Sequence, residues 1–207
     1  MPLWGTTATA ATNKPKWCPD DTNSPYDVTE VYANNSGWVR RAGTAASGNG
    51  NTSADPEILV AIGGLAGLTT STGLAHPTIT RIRWGEASYT GAVSITVEVT
   101  WDEQVKYVAG TAGTIVITST GTNITATATH IDGVAITDGL IGNTVRFTGT
   151  TVNENATLSI ADDQALTDPD LVDALGANDA LSGADATTIT AAVKTASSLG
   201  TRTVTAA

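Results

Sequence analysis

Val93-Ser94-Ile95-Thr96-Val97-Glu98-Val99-Thr100-Trp101 alternates apolar and polar residues without a fault. Successive side chains of a strand point to opposite faces, so Val93, Ile95, Val97, Val99 and Trp101 share one side. A period of two with one apolar face predicts a strand buried on that face, and it sets the fold class as β. Other short strands lie around it. Residues 78–84 precede it, and residues 114–120 follow, with Ile115 and Ile117 inward. Residues 123–130 present Ile124, Ala126 and Ala128 on one face; residues 143–148 offer Val145 and Phe147; residues 156–160 offer Ala156, Leu158 and Ile160. Turn formers separate them: Gly110 and Gly113, Gly121-Thr122, Asp132-Gly133, Asp138-Gly139 and Gly142-Asn143. Six to eight short strands over roughly 90 residues predict an antiparallel Greek-key sandwich. No helical pattern falls between consecutive strands, which argues against a parallel α/β fold.

The flanks read differently. Gly37-Trp38-Val39-Arg40-Arg41 and Glu57-Ile58-Leu59-Val60-Ala61-Ile62 predict two strands, joined by a mobile loop rich in Gly, Ser, Asn and Thr. The second run is almost continuously apolar, as expected for a strand buried on both faces. Residues 63–77 form a small-residue linker. Residues 1–36 carry Pro2, Pro15, Pro19 and Pro25, which forbid a regular helix and interrupt strand ladders. Trp4, Trp17, Tyr26 and Tyr32 lie in the same stretch, whereas disordered tails are poor in aromatics. An extended arm follows, whose rings either dock on another subunit or fold back onto the chain's own sheet. After residue 168, Asp168-Pro169-Asp170 opens a short helix over 171–175, stopped by Gly176. Asp185 caps a second helix through Ile189, Val193 and Leu199, ended by Gly200, and Arg202 to Val204 form a last strand. The expected organisation is an arm with short strands (1–77), a sandwich (78–167) and a small helical tail (168–207).

Charged residues make up 14% of the 207, against roughly a quarter in ordinary globular chains. Thr, Ala, Gly, Ser and Asn fill the gap, and Thr suits a pleated, half-buried surface. The net charge of −10 counts against a nucleic-acid partner, which needs a Lys/Arg surface, and against an anionic membrane. Residues 1–12 lack a basic region followed by an apolar run, so no signal peptide is expected. The longest apolar stretch, residues 58–68, is broken by glycine and too short to span a bilayer. Synthesis in a cytoplasm is the expectation, the protein then staying there or leaving by lysis. Cys18 is the only cysteine, which leaves no intrachain disulfide and no multi-cysteine zinc site. The sequons beginning at Asn34, Asn51, Asn123 and Asn155 are what chance produces in so Asn- and Thr-rich a chain.

A search for chemistry finds no nucleophile elbow, phosphate-binding loop or zinc-protease helix. A Ser–His pair would have to use His76 or His130, and both sit beside loop or strand-edge residues. Two carboxylates suffice for a glycosidase, but sugar sites need several aromatics, and Trp84, Tyr89 and Trp101 read as core or edge residues. The expectation is therefore no enzyme, no catalytic residue, no cofactor and no metal. Asp162-Asp163 and Asp168-Pro169-Asp170 read either as a solvated acidic loop or as oxygen ligands for Ca²⁺. Arg40-Arg41 and Arg81-Ile82-Arg83 are the basic concentrations of an acidic chain, set to pair with a neighbouring subunit or to lie exposed on a β-surface.

Met1-Pro2-Leu3-Trp4-Gly5, Lys14-Pro15-Lys16-Trp17, Gly37-Trp38-Val39-Arg40-Arg41 and Glu57-Ile58-Leu59-Val60-Ala61 together resemble small virion proteins of contractile-tailed phages infecting marine cyanobacteria. Val97-Glu98-Val99-Thr100-Trp101-Asp102-Glu103-Gln104-Val105 is similar to the strand of bacterial-type immunoglobulin-like repeats, with Leu158-Ser159-Ile160-Ala161-Asp162 matching their closing strand. The resemblance implies a virion structural protein: a capsid decoration protein that docks through its N-terminal region and projects an immunoglobulin-like sandwich. Its expected interface residues are Trp4, Trp17, Tyr26, Trp38, Arg40 and Arg41. The expected partners are other virion proteins, the major capsid protein first, with a homo-oligomer left open and neither nucleic acid nor membrane involved. A neck, tail or fibre component is the alternative, and a glycan-binding adhesion module the second.

Overall fold

The computed structural model describes residues 27, 29–43, 50–65, 76–110, 112–167, 170–174, 181 and 184–207. Trp4, Trp17 and Tyr26, and the centre of the loop between the first predicted strands, lie outside the described residues. In chain order the strands are β1 (Val31–Asn34), β2 (Gly37–Arg40), β3 (Glu57–Ala61), β4 (Ile79–Trp84), β5 (Ser88–Thr90), β6 (Ser94–Tyr107), β7 (Thr114–Ser119) and β8 (Ile124–Ile131). They continue with β9 (Val134–Ala135), β10 (Ile141–Thr150), β11 (Ala156–Ser159), β12 (Gln164–Ala165) and β13 (Leu171–Asp173). The chain closes with α1 (Ala184–Thr187), β14 (Thr188–Ile189), α2 (Ala191–Ala196) and β15 (Arg202–Thr205). The protein is mainly β, as the alternation predicted.

The quoted segment is the spine of the fold. It extends to Tyr107 as β6, which pairs antiparallel with β10, with β4 along its first half, and with β13 along its last residues. β8 lies beyond β10, and β7 beyond β8. At Thr118 β7 leaves β8 and pairs with β11, which in turn pairs with β15. The sheet thereby curls over itself into a sandwich-like body. Its core is built from the faces the sequence marked: Ile95, Val97, Val99, Trp101, Ile115, Ile117, Val145 and Phe147 have no exposed surface. Each such side chain contributes roughly 1.5–3 kcal/mol by leaving water. Val93 stands ahead of the strand and is exposed.

The turn signals act where expected. β8 and β9 are joined by Asp132-Gly133, with φ of 51° and 80°. That is the two-residue turn whose twist matches the flanking strands. β1 and β2 form a second hairpin, ending at Gly37 with φ 124°. A Cβ there would run into the backbone of Val60 on β3 and of Ile62 just past it, so only glycine lets β3 approach.

Four expectations change. The apolar run at 57–62 is not buried on both faces: β3 ends the sheet, pairs only with β2 among the described residues, and leaves Ile58 53% exposed. Leu59 and Val60, with Ile62 just past the strand, pack half-buried on a small second core of Val31, Ala33, Trp38 and Leu65. A short apolar run cannot tell a central strand from an edge, because it records hydrophobicity and not pairing. Next, residues 171–173 form strand β13, not a helix. β6 outruns β4, and its terminal backbone groups need partners that three residues of strand supply. Third, no single helix runs from Asp185. α1 stops at Thr187, Thr188-Ile189 pairs with β12 and buries Ile189, and α2 starts anew under Thr190, whose hydroxyl accepts the Val193 amide at 3.3 Å.

The fourth change concerns the tail, which is woven into the body. β15 sits between β11 and β5, and Arg202 to Val204 are the strand the sequence predicted. The indole of Trp101 donates to the Ala186 carbonyl at 2.9 Å, and that of Trp84 to the Gly200 carbonyl at 2.8 Å. Two buried aromatic rings thus find partners for their N–H groups only in the last 24 residues described. The sheet is also mixed: β5 runs parallel to β15, and β1 meets β6 in parallel at Ala33 and Glu103.

Candidate functional site on the outer face of β4, β6 and β10

Strand alternation places Arg83, Glu98 and Arg146 outward, because Ile82, Val97, Val99, Val145 and Phe147 are buried. Register then aligns them. Glu98 lies directly opposite Arg83 on β4 and Arg146 on β10. Its carboxylate accepts from Arg83 Nε at 2.6 Å and from Arg146 Nε and Nη2 at 2.9 and 2.8 Å. Burial alone would raise the Glu98 pKa; hydrogen bonds and charge from the two guanidiniums outweigh it and hold the group below its ordinary value. One row along, Thr100 and Thr144 share a hydroxyl hydrogen bond at 3.0 Å, and Arg81 binds Asp27 at 2.6 Å. The Asp27 carboxyl is pushed up by burial and pulled lower still by Thr29 and Arg81.

A cleft of about 330 Å³ opens over this ladder, lined by Arg41, Arg83, Arg146, Glu30, Glu98 and Asp132 together with Thr29 and Thr144. Its charges balance in number, and Arg41 is taken by Asp132 at 2.6 Å and by Asn143. Three paired cations facing three carboxylates make a cross-strand brace rather than a receptor for an anion. Neither Glu98 nor Arg146 stood out in the sequence. The alternation around each showed that it faces outward, but only register brings the two side by side.

Beneath this face lies a buried acid. Between the pairs Gly142–Val105 and Thr144–Thr100 the register of β10 on β6 shifts, and Asn143 alone faces the stretch from Trp101 to Gln104. Asp102 and Glu103 occupy that irregularity, 3% and 0% exposed. Asp102 accepts the Thr78 amide at 2.7 Å. Among the described residues, Glu103 has no hydrogen-bond partner for either carboxyl oxygen. Burial, followed by the charges of Asp102 and Asp173, pushes its pKa up to about 9. Asn143, fully buried, donates to the Trp101 carbonyl at 3.2 Å and accepts from Arg41.

The structure places the remaining sequence-predicted residues as follows. Trp38 is 1% exposed within the chain's own second core. Arg40 pairs with Glu57 of β3, and Arg41 lies 5.8 Å from the Tyr32 ring centroid besides binding Asp132 and Asn143. These three side chains thus hold the β1–β3 unit to itself and to β10. Trp84, Tyr89 and Trp101 are core residues. His130 bonds its neighbour Thr129 at 3.0 Å. Asp162 binds Lys194 at 2.7 Å, and no three His, Cys, Asp or Glu among the described residues are grouped to hold a metal. No described helix is long and apolar enough to cross a membrane. No family model, curated protein or solved structure matches the chain.

Proposed function

We propose that this chain is a structural protein of a phage particle, a capsid decoration protein that docks through its N-terminal region and carries an immunoglobulin-like sandwich outward. The sequence resemblance at residues 1–61 and 97–105 motivates the reading. The observation that carries it is the placement of the β1–β3 unit. This unit ends the sheet at β3, with one side of that strand unpaired among the described residues and Ile58 more than half exposed. An open strand edge with an apolar side chain is a template for adding a partner's strand. Asp27, ahead of β1, pairs with Arg81 of β4. The major capsid protein is the expected partner, and repetition over a symmetric shell makes modest contacts effective.

The test is association of the full chain with phage capsids that lack it. Saturable binding, at a stoichiometry fixed by the lattice and abolished by deleting residues 1–26, supports decoration. Light scattering on the free chain separates the alternatives: a monomer fits decoration, whereas a stable trimer or larger ring moves the reading to a fibre or tail component. Absence of capsid binding overturns it.

A further inference from the structure

Glu103 sits where β1 meets the sandwich, and among the described residues it has no hydrogen-bonding partner that would keep a carboxylate there. Its backbone is bridged to Ala33 of β1. Its side chain has no exposed surface, and both oxygens lack a hydrogen-bond partner among the described residues. The groups facing it are of the wrong kind. β6 contributes Asp102, whose carboxylate is engaged by the Thr78 amide, and β13 contributes Asp173, 7% exposed. β10 contributes Asn143, which is neutral, and β1 contributes Ala33. Arg41, just past β2, is bound to Asn143, Asp132 and the face of Tyr32. Lys106 lies further along β6, opposite Val172.

We propose that Glu103 is a proton-operated latch between the β1–β3 unit and the sandwich. With its proton on, the carboxyl is a neutral buried group, and β1 lies against β6. With the proton lost, a carboxylate with no exposed surface is left beside two other acids, and the relief available is to open the β1–β6 junction and admit water. The rest of the β1–β3 unit can move as one piece, because it has its own small core and its own hairpin ladder. The direction follows from linkage. The closed junction holds the Glu103 proton up to a pKa of about 9, whereas the opened, hydrated carboxyl loses it near the ordinary 4.5. Between those values opening releases a proton, so the junction is tightest in acid and loosens as the pH rises, levelling off above the closed-state pKa. The inference does not depend on the virion reading.

Amide hydrogen exchange on the full chain tests it, read at Val31 to Ala33 and at Trp38 and Val39, and normalised for the intrinsic pH dependence of exchange. The expected result is a protection factor in this unit that falls up to about tenfold per pH unit between pH 6 and 9, while amides of β7 and β11 stay protected. In Glu103→Gln, neutral at every pH and nearly the same shape, the fall disappears. Protection of β1 and β2 that is independent of pH in the unaltered chain overturns the latch. So does a fall shared equally by β7 and β11, which would mean whole-molecule unfolding, and so does a fall that persists in Glu103→Gln. The titration of the unaltered chain decides the matter even if the variant folds poorly.

Discussion

Replacing Glu98 by Gln isolates the outer brace. The substitution keeps the shape of the side chain and removes its charge, leaving Arg83 and Arg146 across from a neutral amide. Hydrogen bonds to charged groups are worth roughly 1.5–3 kcal/mol each when sheltered. Glu98 is sheltered, with its side chain 10% exposed, but its partners are 51% and 38% exposed, so solvent screens much of the attraction. The two interactions together are therefore worth about 1–2 kcal/mol at pH 7, and urea denaturation followed by tryptophan fluorescence should show a loss of that size. The pH dependence provides a sharper reading. The folded-state pKa of Glu98 lies below its ordinary value, so its stabilisation is complete above pH 4.5 and lost as the pH falls through the folded value. The gap between the unaltered chain and Glu98→Gln should accordingly be full at pH 7 and shrink as the pH falls below 4.5 and through the folded value. Asp27 adds a similar acid-side loss to both proteins, so the difference reports Glu98 alone. A gap near zero at pH 7, or one that is the same at pH 7 and pH 3, would refute the brace. A cycle with Arg146→Gln should give a coupling of about 0.5–1 kcal/mol.

Three further outcomes are expected. Phe147→Ala removes a fully buried ring from the main core and should cost about 3–5 kcal/mol, read as a drop in the urea midpoint with unchanged slope; a loss under about 1 kcal/mol would mean that the core is loosely packed there. A chain ending at Thr167 loses β13, β15 and the carbonyl partners of both buried indoles, so it should bind a hydrophobic dye and unfold without a sharp transition. Cooperative unfolding of that fragment would make the tail dispensable. Gly37→Ala places a Cβ against the Val60 carbonyl at a positive φ and should cost about 1–3 kcal/mol, with exchange rising first in β2 and β3; unchanged stability would contradict the close approach of β3.

The class of the fold was legible because strand alternation is a local property. From Ile95 to Trp101, and again at Ile115, Ile117, Val145, Phe147, Leu158 and Ile160, each apolar residue marked in the sequence is buried in the structure. Asp132-Gly133 was legible as a turn for the same reason, since the required positive φ is written into two adjacent residues. The sequence also marked Arg40-Arg41 and Arg81-Ile82-Arg83 as basic points, while leaving their partners open. In the structure those partners are Glu57, Asp132, Asp27 and Glu98, from four separate regions of the chain.

What remained hidden depends on pairing across long separations. Nothing in Leu171-Val172-Asp173 says that the end of β6 needs a neighbour, and nothing in Gly200 says that its carbonyl receives an indole 116 residues earlier. Glu103 looked like one more polar position in a strand. It became a buried acid only when the β10 register shifted at Asn143 and β1 closed over it. By itself the sequence determined which residues alternate and where the chain turns, because these follow from neighbours one and two places apart. Register, edge and burial of charge were decided by tertiary structure alone, because each depends on which distant strand lies alongside.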